Sequence, residues 1–135
     1  MNNQLHILII DDDRFQVLAL KKVIELTSLA GEITHCLNGQ EALDYLTQLT
    51  QQGDTLPDVI FLDINMPIMN GWHLLEAYKR LKRLLYHPIP IYLLTSSTDG
   101  VDMAKSRRYE TVKGYIIKPA AKEKVREILM SIETE

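Results

Sequence analysis

Residues 58–71 constrain the fold of this chain more than any other segment. Four consecutive apolar residues at 59–62 end abruptly at one acidic residue, Asp63. An unbroken apolar run of this length is typical of a strand buried on both faces, as in a parallel sheet. An asparagine at Asn65, a proline and then Gly71 follow, and residues of these types end strands and form turns. The segment therefore predicts a central strand whose carboxyl end carries a carboxylate.

The rest of the chain alternates between short apolar runs and segments with helical periodicity. Candidate strands cover residues 5–10, 32–36, 59–62, 89–94 and 112–117. Candidate helices cover residues 14–29, 40–51, a third segment after Gly71, 101–109 and a last segment starting near Ala120. We expect Gly31 to stop the first helix and His87-Pro88 to stop the third.

Strands that alternate with helices imply a parallel sheet with helices on both faces. Right-handed crossovers leave few topologies for five such units. We therefore predict an α/β fold with a doubly wound, five-stranded parallel sheet of flavodoxin-like strand order 2-1-3-4-5. A chain of 135 residues with 46% apolar content fits one domain with its own core.

The charge distribution argues against several classes of partner. A formal net charge of −3 gives no general attraction to nucleic acid or to an anionic membrane. Basic residues do gather at residues 79–83 and again at 105–108, and we interpret both clusters as solvated helix faces.

Other features of the sequence indicate a cytoplasmic protein. The single cysteine, Cys36, cannot form an internal disulfide, which fits a reducing compartment. No apolar run approaches the ~20 residues that a membrane-spanning helix needs. The amino-terminal residues lack the charged start and the apolar stretch of a signal peptide.

Polar residues follow four of the predicted strands at one edge of the sheet. The first strand ends at Asp11 and Asp12, the third at Asp63, the fourth at Thr95 and the fifth at Lys118. Each residue alone has an ordinary explanation as a turn former, a helix cap or a solvated side chain. Their shared edge changes this, because open α/β sheets bind ligands outside the carboxyl ends of their strands, where the winding reverses.

These residue types predict phosphoryl-transfer chemistry. Three crowded carboxylates repel one another unless a cation neutralises them, and a site with few carboxylates favours Mg²⁺. An ammonium and a hydroxyl suit the oxygens of a phosphoryl group. A carboxylate can also act as the nucleophile and form an aspartyl phosphate. We therefore predict Mg²⁺-assisted phosphoryl transfer onto Asp63.

The motifs I-I-D-D, F-L-D-I-N-M-P-I-M-N-G, L-L-T-S and G-Y-I-I-K-P, in this order, resemble the response-regulator receiver domain of two-component signalling. The resemblance covers about residues 5–133. It implies a single receiver domain over 1–135 with no output domain, acting as a stand-alone response regulator.

The resemblance also assigns roles at the acidic edge. It implies that Asp63 accepts a phosphoryl group from the phosphohistidine of a histidine kinase or a phosphotransfer protein. Mg²⁺ would be held by Asp12 directly, by Asp11 through water, by Asp63, and by the backbone carbonyl of Asn65.

A second group of residues would form the switch. Thr95 would turn its hydroxyl towards the bound phosphate, Lys118 would pair with that phosphate, and Tyr115 would swing inward on activation. The family further implies a cis Lys118–Pro119 bond. Phosphorylation would then change the surface of helix 4, strand 5 and helix 5 for a downstream protein partner.

The expected protein is a phosphoacceptor rather than an enzyme with its own substrate, although it would assist its own phosphorylation and dephosphorylation. We expect a monomer or weak dimer that binds neither nucleic acid nor membrane. Two positions depart from the family pattern. Ser96 stands where alanine is common, and residues 107–113 lack the Gly-Ala pair often found before strand 5, which bears on the surface around helix 4.

Two other functions are compatible with parts of the sequence. A small Mg²⁺ phosphohydrolase of the haloacid dehalogenase type also begins with Asp-x-Asp, a spacing that Asp11 and Asp13 share. Phe15, however, stands where that family prefers threonine or valine, and the chain is short for a substrate cap. A constitutive adaptor with the same fold would not need the acids, the threonine and the lysine together.

Overall fold

A computed structural model describes residues 4–66, 69–85, 87–96 and 100–133. The strands are β1 (Leu5–Ile10), β2 (Ala30–Cys36), β3 (Val59–Asp63), β4 (Ile91–Thr95) and β5 (Val112–Ile117). The helices are α1 (Arg14–Leu26), α2 (Gly39–Gln52), α3 (Gly71–Leu81), α4 (Gly100–Ser106) and α5 (Lys122–Glu133), and a short 3₁₀ turn (Lys82–Leu84) follows α3.

The five strands form one parallel sheet in the order β2-β1-β3-β4-β5, so the predicted fold and strand order are confirmed. In the register of β1 and β3, Ile10 lies opposite Leu62. Asp11 and Asp63 are the next residues of their chains, so the register brings both carboxylates to the same edge of the sheet.

The central strands are buried on both faces, as their apolar runs predict. One face of β1 and β3 contributes Leu8 and Leu62 to a core that includes residues of α2 and α3. The other face contributes Ile9 and Phe61 to a second core with residues of α1 and α5. All five residues of β3 are buried, so this strand anchors both layers.

Two predicted helix ends are wrong. The α1 helix ends at Leu26, where the Thr27 hydroxyl donates to the carbonyl oxygen of Ile24 at 2.6 Å and Ser28 turns the chain with a φ of 61°. Gly31 lies inside β2 instead of ending α1. The helical part of α3 ends at Leu81 and passes into the 3₁₀ turn, well before the predicted stop at His87-Pro88.

Asparagine and aspartate side chains cap the helices that leave the acidic edge or its neighbourhood. The Asp13 carboxylate accepts from the backbone N–H groups of Phe15 and Gln16 and caps α1. Asn38 and Asn70 cap α2 and α3 in the same way. These caps fix where each helix starts relative to the strand before it.

Among the helices that the structure describes, none combines the length and the apolar character that a bilayer-spanning helix needs. The extent of the domain, from residue 1 to residue 135 and without an output domain, stays a prediction.

Candidate functional site

Three aspartates meet at the carboxyl ends of β1 and β3. One carboxylate oxygen from each of Asp11, Asp12 and Asp63 lies within 4.8 Å of the other two. Asp11 is 1% exposed and Asp63 is 4% exposed, whereas Asp12 is open to solvent. The predicted acidic cluster therefore forms, with two of its carboxylates buried and the third at its mouth.

Lys118 supplies a positive charge to the two buried acids. Its Nζ lies 3.1 Å from Asp11 Oδ2 and 3.4 Å from Asp63 Oδ1. The backbone N–H of Lys118 donates to the carbonyl oxygen of Thr95 at 2.8 Å, so the end of β5 is tied to the end of β4. The Lys118–Pro119 bond is cis, as expected. Lys118, which follows β5, thus contacts Asp63 at the end of β3, two strands away, and Asp11 at the end of β1, three strands away.

Backbone N–H groups hold the buried carboxylates in place. The N–H of Asn65 donates to Asp63 Oδ1 at 3.2 Å, and the N–H of Asp13 donates to Asp11 Oδ1 at 2.9 Å. Both donors lie two residues beyond the acid that they contact, in the turns that follow β3 and β1. These main-chain contacts have no side-chain signal in the sequence, so sequence reasoning missed them.

The pKa of Asp63 is raised from 3.8 to about 6, first by burial and next by the negative charge of Asp11. The Lys118 ammonium and the N–H of Asn65 oppose this pKa shift without cancelling it. Removal from water and a neighbouring like charge both favour the protonated carboxyl group. An additional positive charge near Asp63 would therefore stabilise its ionised form.

The acidic cluster fits a divalent metal ion. Three carboxylates face one ammonium, so three negative charges stand against one positive charge. In the described part of the chain, no lysine or arginine lies within ion-pair distance of Asp12. Hard oxygen donors with a surplus of negative charge and one exposed carboxylate suit Mg²⁺, which keeps several of its waters.

The start of α3 is packed directly against the turn that carries Asp63. The N–H of Gly71 donates to the carbonyl oxygen of Ile64 at 2.8 Å. A Cβ added at Gly71 would lie 2.8 Å from the Cα of Ile64 and 3.0 Å from the carbonyl oxygen of Asp63. Only glycine leaves room for this approach, so the β3–α3 connection positions the phosphoacceptor candidate.

The remaining predicted site residues lie at different depths. Thr95 is 2% exposed at the end of β4, one residue beyond the register pair Asp63 and Leu94. Tyr115 is half-buried and packs against the core that includes residues of α2 and α3. The side chain of Asn65 is exposed. Thr95 is thus close to the acids in the sheet, whereas Tyr115 is not part of their cluster.

An aromatic contact links α3 to the connection between α4 and β5. The rings of Trp72 and Tyr109 stack at 6.1 Å, and the Tyr109 hydroxyl donates to Glu76 Oε2 at 2.6 Å. Nothing in the sequence marks Tyr109 as the partner of Trp72. Tyr109 is buried, and it lies within residues 107–113, the segment that departs from the family pattern.

Comparison with known proteins decides the family. The sequence matches the family model described as response regulator receiver domain over residues 7–130. The chain belongs to this family. The predicted resemblance is therefore confirmed, and the receiver domain is a signalling domain of two-component systems.

Relatives of this receiver domain differ in length. The probable methanogenesis regulatory protein FilR2 of Methanothrix harundinacea is 30% identical over 127 residues, which cover 94% of this chain and 80% of FilR2. A protein-glutamate methylesterase/protein-glutamine glutaminase of Halalkalibacterium halodurans is 29% identical over 136 residues, which cover 96% of this chain and 36% of that protein. The chain thus spans most of one relative and about a third of the other.

A solved structure shows the same fold over nearly the whole chain. The crystal structure of a two component response regulator from Cytophaga hutchinsonii matches with a TM-score of 0.89 at 29% identity, covering 98% of this chain and 99% of that one. The receiver fold of this chain therefore extends over the β-α units described above.

Proposed function

We propose that this receiver domain is a phosphorylation switch whose phosphoacceptor is Asp63. The supporting observation is the arrangement at the sheet edge: a buried Asp63 between two further carboxylates and the Lys118 ammonium. Membership of the receiver family supports the same role. The donor would be the phosphohistidine of a histidine kinase or of a phosphotransfer protein.

In the proposed reaction, a carboxylate oxygen of Asp63 attacks the phosphorus atom of the phosphohistidine. The P–O bond to Asp63 forms as the P–N bond breaks, and the imidazole of the donor leaves. Asp63 must be ionised to attack. Because its pKa is raised, a neighbouring positive charge that stabilises the ionised carboxylate would assist the attack. Lys118, which already contacts Asp63, would move its ionic contact to the oxygens of the transferred phosphoryl group.

Asp11, Asp12 and Asp63 would hold Mg²⁺ with the backbone carbonyl of Asn65. The ion would supply the positive charge that the site lacks. Asp12 is the exposed member of the cluster, so it would remain accessible after Lys118 has paired with the buried acids.

Thr95 and Tyr115 would transmit the phosphorylated state to the surface. Thr95 lies at the end of β4 next to the register partner of Asp63, where its hydroxyl would bond to the phosphoryl group. Tyr115 lies on β5 three residues before Lys118 and is only half-buried, which leaves it room to turn inward. The surface formed by α4, β5 and α5 would then bind a downstream protein, the domain itself remaining a monomer or weak dimer.

Phosphorylation by acetyl phosphate tests this function. With Mg²⁺ present, we expect the wild-type protein to gain the mass of one phosphate and Asp63→Asn to gain none. Asp54→Asn is the matched control, because Asp54 is an exposed acid outside the cluster, and it should be labelled like the wild type. Equal labelling of the wild type and Asp63→Asn would refute the proposal.

The wild type and Asp63→Asn also separate the alternative functions. A phosphohydrolase would use Asp11 as its nucleophile and turn over a small phosphate ester, even in the Asp63→Asn variant. The structure gives Asp13 a capping role in α1 and pairs Asp11 with Lys118, which does not favour that reaction. If the protein were a constitutive adaptor, acetyl phosphate would label neither the wild type nor Asp63→Asn.

A further inference from the structure

The fold brings two basic segments that are distant in the sequence to one groove. Lys79, Lys82 and Arg83 belong to the end of α3 and its 3₁₀ turn, and Arg108 belongs to the connection between α4 and β5. All four line a groove of about 340 Å³. The sequence alone suggested two separate solvated faces, so this shared surface is a product of the tertiary structure.

Two of these four cationic side chains form ion pairs with glutamates, and two have no carboxylate partner in the described part of the chain. Lys79 Nζ lies 3.3 Å from Glu76 Oε2, and Lys82 Nζ lies 3.4 Å from Glu110 Oε1. Arg83 and Arg108 are exposed, and neither has a carboxylate within ion-pair distance in the described part of the chain. Four positive charges therefore face two negative charges, although the whole chain has a net charge of −3.

A buried hydroxyl group also lines this groove. Thr111 contributes to its wall and is 9% exposed. Within the residues that the structure describes, its Oγ1 has no hydrogen-bond partner. Buried polar groups in folded proteins are normally paired, because an unpaired one retains the cost of leaving water. The oxygen itself is enclosed, so Thr111 shapes the wall of the groove and is not counted as a contact of its occupant.

We propose that the groove, defined by Lys79, Lys82, Arg83, Arg108 and Thr111, binds a short acidic segment of a partner protein. Guanidinium groups match carboxylates with two parallel hydrogen bonds, and the two uncompensated cations are both arginines.

The same residues argue against nucleic acid as the occupant. Glu110 stands in the groove and would repel a continuous line of phosphates, whereas separate acidic side chains can avoid it. Tyr109, the aromatic residue of the groove, is buried and stacked on Trp72, so it offers no free face for a base.

The groove is separate from the phosphorylation site. Thr111 directly precedes β5 and the 3₁₀ turn precedes β4, so the groove lies near the amino ends of these strands. Asp63 and Lys118 lie at the carboxyl ends. Binding of the acidic segment thus goes beyond the proposed phosphoacceptor role and does not require it.

An NMR titration tests the proposal. The ¹⁵N-labelled full chain is titrated with a hexaglutamate peptide, and we expect the amide shifts to change around Arg83 and Arg108–Thr111 in a saturable manner. Arg83→Gln with Arg108→Gln should weaken binding about fivefold or more, since each exposed ion pair contributes modestly. Lys22→Gln with Lys124→Gln removes the same two charges from exposed positions on α1 and α5 and should leave binding unchanged.

Three outcomes would overturn the proposal. The first is an absence of saturable shifts at millimolar peptide, and the second is equal weakening by both double variants, which would show non-specific attraction. The third is binding of a short DNA duplex or of phosphatidylserine vesicles to the groove with no binding of the peptide. Asp63→Asn should bind the peptide like the wild type, so failure of the phosphoacceptor proposal and failure of this one remain distinguishable.

Discussion

Asp63 combines burial with incomplete charge compensation. It sits beside Asp11, and the Lys118 ammonium contacts both acids, so one positive charge serves two buried carboxylates. Functional sites often keep such unfavourable groups, because the surrounding structure is stable enough to hold them. The site should therefore lower the stability of the fold. Replacing Asp63 should raise the free energy of unfolding, whereas replacing Lys118 should lower it.

Asp63→Asn should stabilise the protein in a pH-dependent way. The folded-state pKa of Asp63, about 6, lies above the ordinary value of 3.8, so ionisation costs the folded state stability as the pH rises from 4 through 6. The gain from Asn should reach at most about 3 kcal/mol above pH 7 and vanish below pH 4. Urea unfolding at several pH values with EDTA measures it. Asp54→Asn should show no such profile, and a gain independent of pH would contradict the argument.

Lys118→Gln should act in the opposite direction. Its loss leaves Asp11 and Asp63 buried without a counter-charge, which should lower the free energy of unfolding by about 2–4 kcal/mol at pH 8. The loss should shrink at pH 4, where Asp63 is protonated. Lys122→Gln serves as the control because Lys122 is exposed on α5. Equal losses for both variants at pH 8 would show that the ion pairs in the site contribute little.

At the scale of elements, the connections between strands and helices do more than join them. The turn after β3 supplies the N–H that contacts Asp63, and the first residue of α3 packs on that turn. The far end of the same helix contributes to the basic groove. The α3 helix is therefore placed by its close contact at Gly71, and any shift there would move both regions.

Gly71→Ala should disturb this placement. The added Cβ would meet backbone atoms of Ile64 and Asp63, which cannot move as a flexible side chain would. We expect a loss of about 1–3 kcal/mol in the free energy of unfolding, typical of an added methyl group in a packed site. Labelling of Asp63 by acetyl phosphate should slow as well.

Gly100→Ala is the matched control, because no described atom lies within 4 Å of a Cβ built at Gly100, which begins α4. It should be neutral or slightly stabilising, since alanine is the better helix former. Thermal unfolding of both variants decides the comparison. Similar behaviour of the two would mean that the contact at Gly71 does not position α3.

At the scale of the whole molecule, the parallel sheet separates two surfaces. The carboxyl ends of β1, β3, β4 and β5 collect the acids, Thr95 and Lys118, while the amino ends of β4 and β5 lie by the basic groove. The acidic cluster and the basic groove thus stand at opposite ends of one sheet. A ligand of the acidic edge should stabilise the entire fold, because the edge exists only when all of these strands are paired.

Mg²⁺ should raise the melting temperature of the wild-type domain at neutral pH. Binding to the folded state alone stabilises by about 2.7 kcal/mol at a hundredfold excess over the dissociation constant. Asp12→Asn removes the exposed member of the cluster and should abolish most of this increase, whereas Asp54→Asn should retain it. Differential scanning fluorimetry with MgCl₂ and EDTA measures the effect. An increase of the same size in Asp12→Asn would show that Asp12 does not bind Mg²⁺.

The strands, the strand order, the acidic edge and the receiver family could all be predicted from the amino-acid sequence. These depend on local patterns, such as the apolar run before Asp63 and the spacing of polar residues after each strand, which physical chemistry links directly to a parallel sheet. Helix ends were harder, because the Thr27 hydroxyl and the turn at Ser28 end α1 before Gly31 is reached.

The contacts between residues that are distant in the sequence could be found only in the folded molecule. The contact of Tyr109 with Glu76, the shared lysine of Asp11 and Asp63, and the groove that joins Arg83 to Arg108 all link residues far apart in the chain. Such contacts depend on strand register and on how helices pack across a sheet, and no local pattern in a single sequence records either.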